Sequence, residues 1–286
     1  MYFADLRRVA FWILENCNNE SFLKLTKRDY RKFMIYCQDE WNMSAARCIR
    51  FLSAVHMMLD MATEDEDLYE DYERNASEKI KGVPKDSVRE ITFIPDDEIK
   101  MLYDKLMNEE RYKEATLLAI LYDSGVRRNE ILQVKRTDIA DDKNSTDTVV
   151  VGKRGKKFKV LYFSRTKEAF KKYDATRTDN NEMLFVNSEN RPATAGNIYE
   201  WIKKWGEELT ELTGKDYTRL SPHSLRHCYV NNMLDGSHYL CKEMNLRAVP
   251  LEKIKTLVHH SSSQTTLSYA QNNEDKDIED LFGITL

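Results

Sequence analysis

"LVHHSSSQTTLSYAQ", Leu257 to Gln271, sets two histidines, a run of hydroxyl side chains and a single tyrosine together near the end of the chain. An ordinary polar loop can carry such a string. So can a nucleophile segment, with Tyr269 as the attacking group and His260 placed to serve it. The choice rests on what the other segments bring to meet it.

Upstream, "PLEKIKTLVHH" reads as a helix, and "SPHSLRHCYVNNML" as another that begins with Pro222. The second puts His223 and Arg226 at i, i+3 on one helical face. "TAGNIYEWIKKWGEEL" is helical, and "EMLFVN" is a short apolar strand or turn. Before these the period changes: "DTVVVG" and "KFKVLYF" are β-branched or alternating runs around a basic tip, which predicts a hairpin carrying Lys153 and Lys156. Earlier still, "DDEIKMLYDKLMNE" and "RYKEATLLAILYDSG" are helices, the first with Pro95 in its opening turn and the second ended by Gly125. "RRNEILQV" starts a further helix, with Arg127 close behind that glycine. After Tyr269, "DKDIEDLFGITL" reads as a short amphipathic helix that must bury Ile278, Leu281 and Phe282, on its own domain or on a neighbouring protomer.

The first part of the chain is helical throughout. Tyr2 to Cys17 is one amphipathic segment. "LTKRDYRKFMIYCQDEW" is a second, with Thr26 as N-cap and Asp29 in the first turn. "MSAARCIRFLSAVHMMLDMA" is a third, with Ser44 as cap and Ile49, Leu52, Val55, Met58 and Leu59 at helical spacing. The acidic run Ala62 to Glu73, then Gly82 and Pro84, break the pattern. The expected division is a helical domain over residues 1–80, a linker over 81–93 and a second domain over 94–286. The fold class is mainly α with a small β-hairpin, α+β overall.

Composition narrows the function classes. With 41% hydrophobic and 32% charged residues the chain reads as soluble and globular. No apolar run approaches the ~20 residues of a membrane helix, and the N-terminus lacks the form of a signal peptide. A cytoplasmic protein without membrane contact is expected. The five cysteines are odd in number and form no C-x-x-C pair, which speaks for free thiols and against a disulfide framework or zinc site. A net charge of −4 argues mildly against a nucleic-acid partner. The charge is uneven, however, and "KRGKKFK", Lys153 to Lys159, is local basic surface of the kind that binds phosphate.

Four separated segments thus offer Arg127, Lys153, His223, Arg226, His260 and Tyr269, a set suited to phosphoryl transfer at a DNA backbone. A phosphodiester under attack gathers negative charge on its non-bridging oxygens, and guanidinium forks meet that charge. The leaving 5′-oxygen needs a proton, which a hairpin lysine can supply. A tyrosine hydroxyl gives a covalent phosphotyrosine that keeps the bond energy for resealing. With those cations present no metal or other cofactor is called for.

At this point the chain resembles the tyrosine recombinases, the phage-integrase and Xer-like site-specific DNA recombinases. "SGVRRNEIL" is similar to the family's first arginine box, "SPHSLRH" to its H-x-L-R-H box, and "VHHSSSQTTLSYAQ" to the box that ends in the nucleophile, with His260 and Tyr269 nine apart. The resemblance implies that Arg127 and Arg226 hold the scissile phosphate, Lys153 is the general acid, His223 assists phosphate activation and proton movement, His260 bonds the phosphate or nucleophile, and Tyr269 attacks to give a 3′-phosphotyrosyl link. Glu130 is then an orienter of the arginine. His259 replaces the glycine usual before the histidine and is a rival to His260, as Arg128 is to Arg127. The tip "KRGKK" shifts its glycine by one, so Lys156 stays open beside Lys153. A segment around 236–250 is longer than Xer-like proteins carry, a surface loop or a partner contact. The resemblance further implies an arm and a catalytic domain forming a C-shaped clamp on double-stranded DNA. It also implies a homotetramer on two DNA sites, with a monomer or weak oligomer when free. A type IB topoisomerase or telomere resolvase would share the chemistry, and a non-catalytic DNA-binding module would need an essential group to be missing.

Overall fold

A computed structural model describes residues 2–258 apart from 66–67, 70–71, 79 and 81–91. His259, His260, Tyr269, the expected tail helix and most of the expected linker lie outside the described residues. The chain divides into two compact units between residues 90 and 91.

In the first unit three helices, α1 (Tyr2–Asn16), α2 (Lys27–Asp39) and α3 (Ala45–Glu64), enclose a core of Val9, Trp12, Tyr30, Phe33, Phe51, Val55 and Leu59. Trp12 and Phe33 meet at 5.1 Å between ring centroids. Thr26 caps α2 and receives the reciprocal bond, Thr26 N donating to Asp29 Oδ2 at 3.0 Å. Ser44 occupies the N-cap position of α3, but its hydroxyl makes no capping bond. Asp5, fully buried, ties α1 to α3 by accepting from Arg50 at 2.6 Å.

The second unit is built around α5 (Tyr112–Ser124), whose residues from Ala115 onward are all buried. α4 (Asp96–Asn108), α7 (Ser164–Thr176) and α9 (Pro222–Leu234) pack on it, which explains why its sequence is apolar all round rather than striped. Pro95 stands one residue ahead of α4, as its N-cap, rather than inside the first turn. Strands β1 (Ser145–Val151) and β2 (Lys157–Leu161) form the expected antiparallel hairpin, with Val150 opposite Phe158. Gly152 N donates to Lys156 O at 2.7 Å to close its tip, where Arg154 and Gly155 both take positive φ. The fold is mainly helical with one two-stranded sheet among the described residues, in agreement with the expected class.

Two local expectations need correction. "RRNEILQV" forms only a four-residue helix, α6 (Arg128–Ile131). The chain then leaves helical geometry because Val134 O accepts from Leu184 N and Lys135 pairs with Met183 in an isolated bridge. The segment around 236–250 is not a surface loop throughout. His238, Tyr239, Leu240 and Cys241 are buried, opening α10 (Tyr239–Glu243), and residues 242–248 and 250 are exposed. Asp123, at the end of α5, accepts from Phe163 N and Thr166 Oγ1, each at 2.7 Å, and from the Tyr239 hydroxyl. Burial pushes its carboxyl up to about 6 even so, with those hydrogen bonds pulling the other way. Among the described residues no helix is long and apolar enough to cross a membrane, and the five cysteines are free thiols.

Candidate active site

α5 ends at Gly125 in the left-handed region, φ 58°. A side chain there would be strained, and its Cβ would stand 2.6 Å from the Tyr229 ring on α9. The turn releases the chain into an extended Arg127, φ −82°, immediately before α6. Glu130, 2% exposed, accepts from Arg127 N at 2.8 Å and from Arg127 Nη1 at 3.0 Å. One carboxylate thus fixes both the backbone and the guanidinium of that arginine.

The same carboxylate abuts the hairpin. A Cβ on Gly152 would lie 2.7 Å from Glu130 Oε1 and 3.0 Å from the Phe158 ring, so only glycine permits this approach. Gln133 adds two bonds to Val151, its Nε2 donating to Val151 O at 3.0 Å and its Oε1 accepting from Val151 N at 2.8 Å. The tip end of the hairpin, and with it Lys153, is therefore seated against the Arg127 segment. Neither Gln133 nor Gly152 stands out in the sequence, since both act through pairings distant along the chain.

The third contribution is α9. Ser221 caps it, its hydroxyl accepting from Ser224 N at 3.3 Å, and Pro222 opens it. His223 and Arg226 follow one turn apart. Arg226 is only 5% exposed and donates from Nη1 to Gly125 O and from Nη2 to Val258 O. It therefore joins the end of α5 to the end of α11 (Leu251–Leu257), directly before the "HHSSSQTTLSY" segment.

A cleft of about 540 Å³ collects Arg127, Lys153, His223 and Arg226 on one wall system, with Arg128, Glu130, Tyr199 and Pro222. Lys156 is not among its lining residues. His260, Tyr269 and the rival His259 lie outside the described residues. Partial desolvation in the cleft, then the charges of Arg127, Arg226 and Arg128, hold the His223 imidazole below its ordinary 6.5, so it is neutral at pH 7. Such a cleft can neutralise an anionic oxygen pair, donate a proton from Lys153 and accept one at His223. Sequence reading missed Tyr199, a tyrosine on α8 (Ala195–Thr213) with no local pattern to mark it.

Because Gly125 supports Arg226 through its carbonyl and Tyr229 through its bare Cα, Gly125→Ala will destabilise the protein by about 2–4 kcal/mol, the sum of left-handed strain and overpacking. Urea denaturation followed by circular dichroism measures this; a loss below 0.5 kcal/mol, an estimate typical of neutral surface changes, would mean the turn relaxes freely.

Comparisons with known proteins bear on the fold and the family. The model of the phage integrase family matches residues 92–276, well over half of the chain. The SPbeta prophage-derived recombinase-like protein YomM of Bacillus subtilis (strain 168) is 22% identical over 94% of this chain and 80% of its own length. The tyrosine recombinase XerA of Pyrococcus horikoshii is 28% identical over 86% of this chain and 76% of its own. Among solved structures, the Tn1549 transposon integrase in complex with circular intermediate DNA aligns with a TM-score of 0.68 at 13% identity, covering 92% of this chain and 87% of that one. The XerH recombinase bound to its palindromic difH substrate aligns with a TM-score of 0.66 at 17% identity, covering 91% and 72%. These structural likenesses speak for the fold, and the family match carries the assignment. The chain belongs to the phage integrase family: it is a tyrosine recombinase, a DNA breaking and rejoining enzyme of site-specific recombination.

Proposed function

We propose that the chain cuts and rejoins double-stranded DNA through a 3′-phosphotyrosyl intermediate formed on Tyr269, without metal or ATP. The Tyr269 oxygen attacks phosphorus and the bond to the 5′-oxygen breaks. That oxygen leaves with a proton from Lys153. Arg127 and Arg226 hold the non-bridging oxygens, His223 takes part in proton movement as a neutral base, and His260 bonds the phosphate or the nucleophile. Attack by a free 5′-hydroxyl on the phosphotyrosine reverses the step and releases Tyr269, so no bond energy is lost. The observation that carries this reading is the meeting of Arg127, Lys153, His223 and Arg226 around one cleft, with Arg226 anchored to the residue before the Tyr269 segment.

Residues 1–80 serve as the DNA-holding arm, 81–93 as linker and 94–286 as the catalytic domain. The working assembly is a homotetramer on two recombination sites, in the cytoplasm at the nucleoid. The test is a nicked suicide substrate, made from the ends of the element that encodes the protein, incubated in EDTA without nucleotide. The expected result is a slow-migrating protein–DNA adduct on a denaturing gel, with the DNA linked by its 3′ end. Binding of the same DNA with no adduct, at any nick position across the site, would overturn the reading.

A further inference from the structure

The cleft holds more positive charge than one phosphodiester can answer. Among the described residues, Arg127, Arg128, Lys153 and Arg226 line it against a single carboxylate, Glu130, and that carboxylate is already engaged by Arg127. Arg128 is half-buried at the first position of α6, one residue beyond Arg127. Among the described residues its guanidinium makes no ion pair and no hydrogen bond. A half-buried guanidinium among other cations, with no acceptor among the described residues, is held at an electrostatic cost that an anion in the cleft would relieve. The other cations match the scissile phosphate, so relief for Arg128 requires a second anion. DNA supplies one, since each strand repeats its phosphate about every 3.4 Å of helix axis. The charge that Arg128 adds is felt across the cleft, where it contributes to keeping His223 neutral.

We propose that Arg128 is a substrate-positioning residue that grips the phosphate flanking the scissile one, setting the register of the strand in the cleft. Arg128 is then neither a spare for Arg127 nor a catalytic group. Its contact is made equally before and during phosphoryl transfer, so it acts on binding more than on the rate of the bound complex. The proposal rests on the reading of this cleft as the seat of the scissile phosphate.

The test uses the full chain and a nicked duplex, comparing wild type, Arg128→Gln and Arg127→Gln. For Arg128→Gln, DNA affinity should fall about tenfold, and the slope of log K against log salt should become shallower by about 0.9, the value of one lost phosphate contact. Adduct formation at saturating DNA should fall by no more than about threefold, whereas Arg127→Gln should lose far more. Replacing the flanking phosphate with an uncharged methylphosphonate should reproduce the loss of affinity in wild type and add nothing to it in Arg128→Gln. An unchanged affinity and salt slope would overturn the proposal. So would a hundredfold loss of rate at saturation, which would put Arg128 on the scissile phosphate itself. The two readings fail separately: a wild type that binds but forms no adduct sinks the recombinase chemistry of the cleft, while the salt slope and the methylphosphonate cycle judge Arg128 by binding alone.

Discussion

Arg226→Lys will slow adduct formation at saturating DNA by about 10²–10³-fold, the range expected when one preorganised donor to a developing oxyanion is lost. Charge alone does not make this site. The Arg226 side chain lies in the protein interior and donates to the carbonyls of Gly125 and Val258, contacts that aim a planar fork and fix its rotation. A lysine ammonium keeps the charge but is a compact point without that plane, and it cannot satisfy two carbonyls on separate segments while facing a phosphate in the same geometry. One carbonyl left without its donor costs about 1–3 kcal/mol. The variant should therefore be moderately less stable yet folded, and DNA affinity should change less than tenfold because other cations line the cleft. Single-turnover adduct kinetics, with stability measured on the same preparation, separate the two effects. A rate within threefold of wild type would remove Arg226 from the phosphate. A rate restored by added guanidinium would instead confirm that a planar donor is what the lysine lacks.

The helices and the hairpin were legible because each follows from a local rule. Apolar positions recur at helical spacing in α1 and α3, Gly125 ends α5, Ser221 and Pro222 open α9, and β-branched runs flank a basic tip. The corrections came where a distant pairing overrode the local pattern. α6 is cut short by extended pairing with Leu184, some fifty positions away, and nothing within "RRNEILQV" announces it. The 236–250 segment stood out in the sequence by its length against Xer-like proteins, which left both a surface loop and a partner contact open. Its anchor is the stacking of His238 on Tyr122, with ring centroids 4.1 Å apart, and the bond from Tyr239 to Asp123. At the site, residue types and order suggested the set, but the supports of Lys153 did not show: Gln133 and Gly152 act across a gap of about twenty residues. The segment carrying His260 and Tyr269 falls outside the described residues, so their place rests on sequence spacing and family membership.

Tyr269→Phe will abolish adduct formation altogether, to the background of the assay, while DNA affinity stays within about twofold of wild type. The substitution removes one oxygen and no charge, so it deletes the nucleophile and leaves the cationic wall intact. A phenol of ordinary pKa near 10 needs a proton acceptor at neutral pH, and the proposed mechanism gives that part to the His223 imidazole. Most of the chain's other tyrosines are ill suited to replace it. Tyr30, Tyr103, Tyr122, Tyr162, Tyr173, Tyr217, Tyr229 and Tyr239 all have hydroxyls that burial drives above the ordinary range, which makes their phenolates harder to form. Among the described residues the tyrosine on the cleft wall is Tyr199. An adduct that persists in Tyr269→Phe would therefore move the nucleophile to Tyr199 and make Tyr199→Phe the deciding variant. Loss of DNA binding together with the adduct would assign Tyr269 to the DNA-holding surface instead. Loss of the adduct alone makes the phosphotyrosine its own, and turns the cleft around Arg127, Lys153, His223 and Arg226 from an anion site into the electrostatic half of a strand-transfer centre.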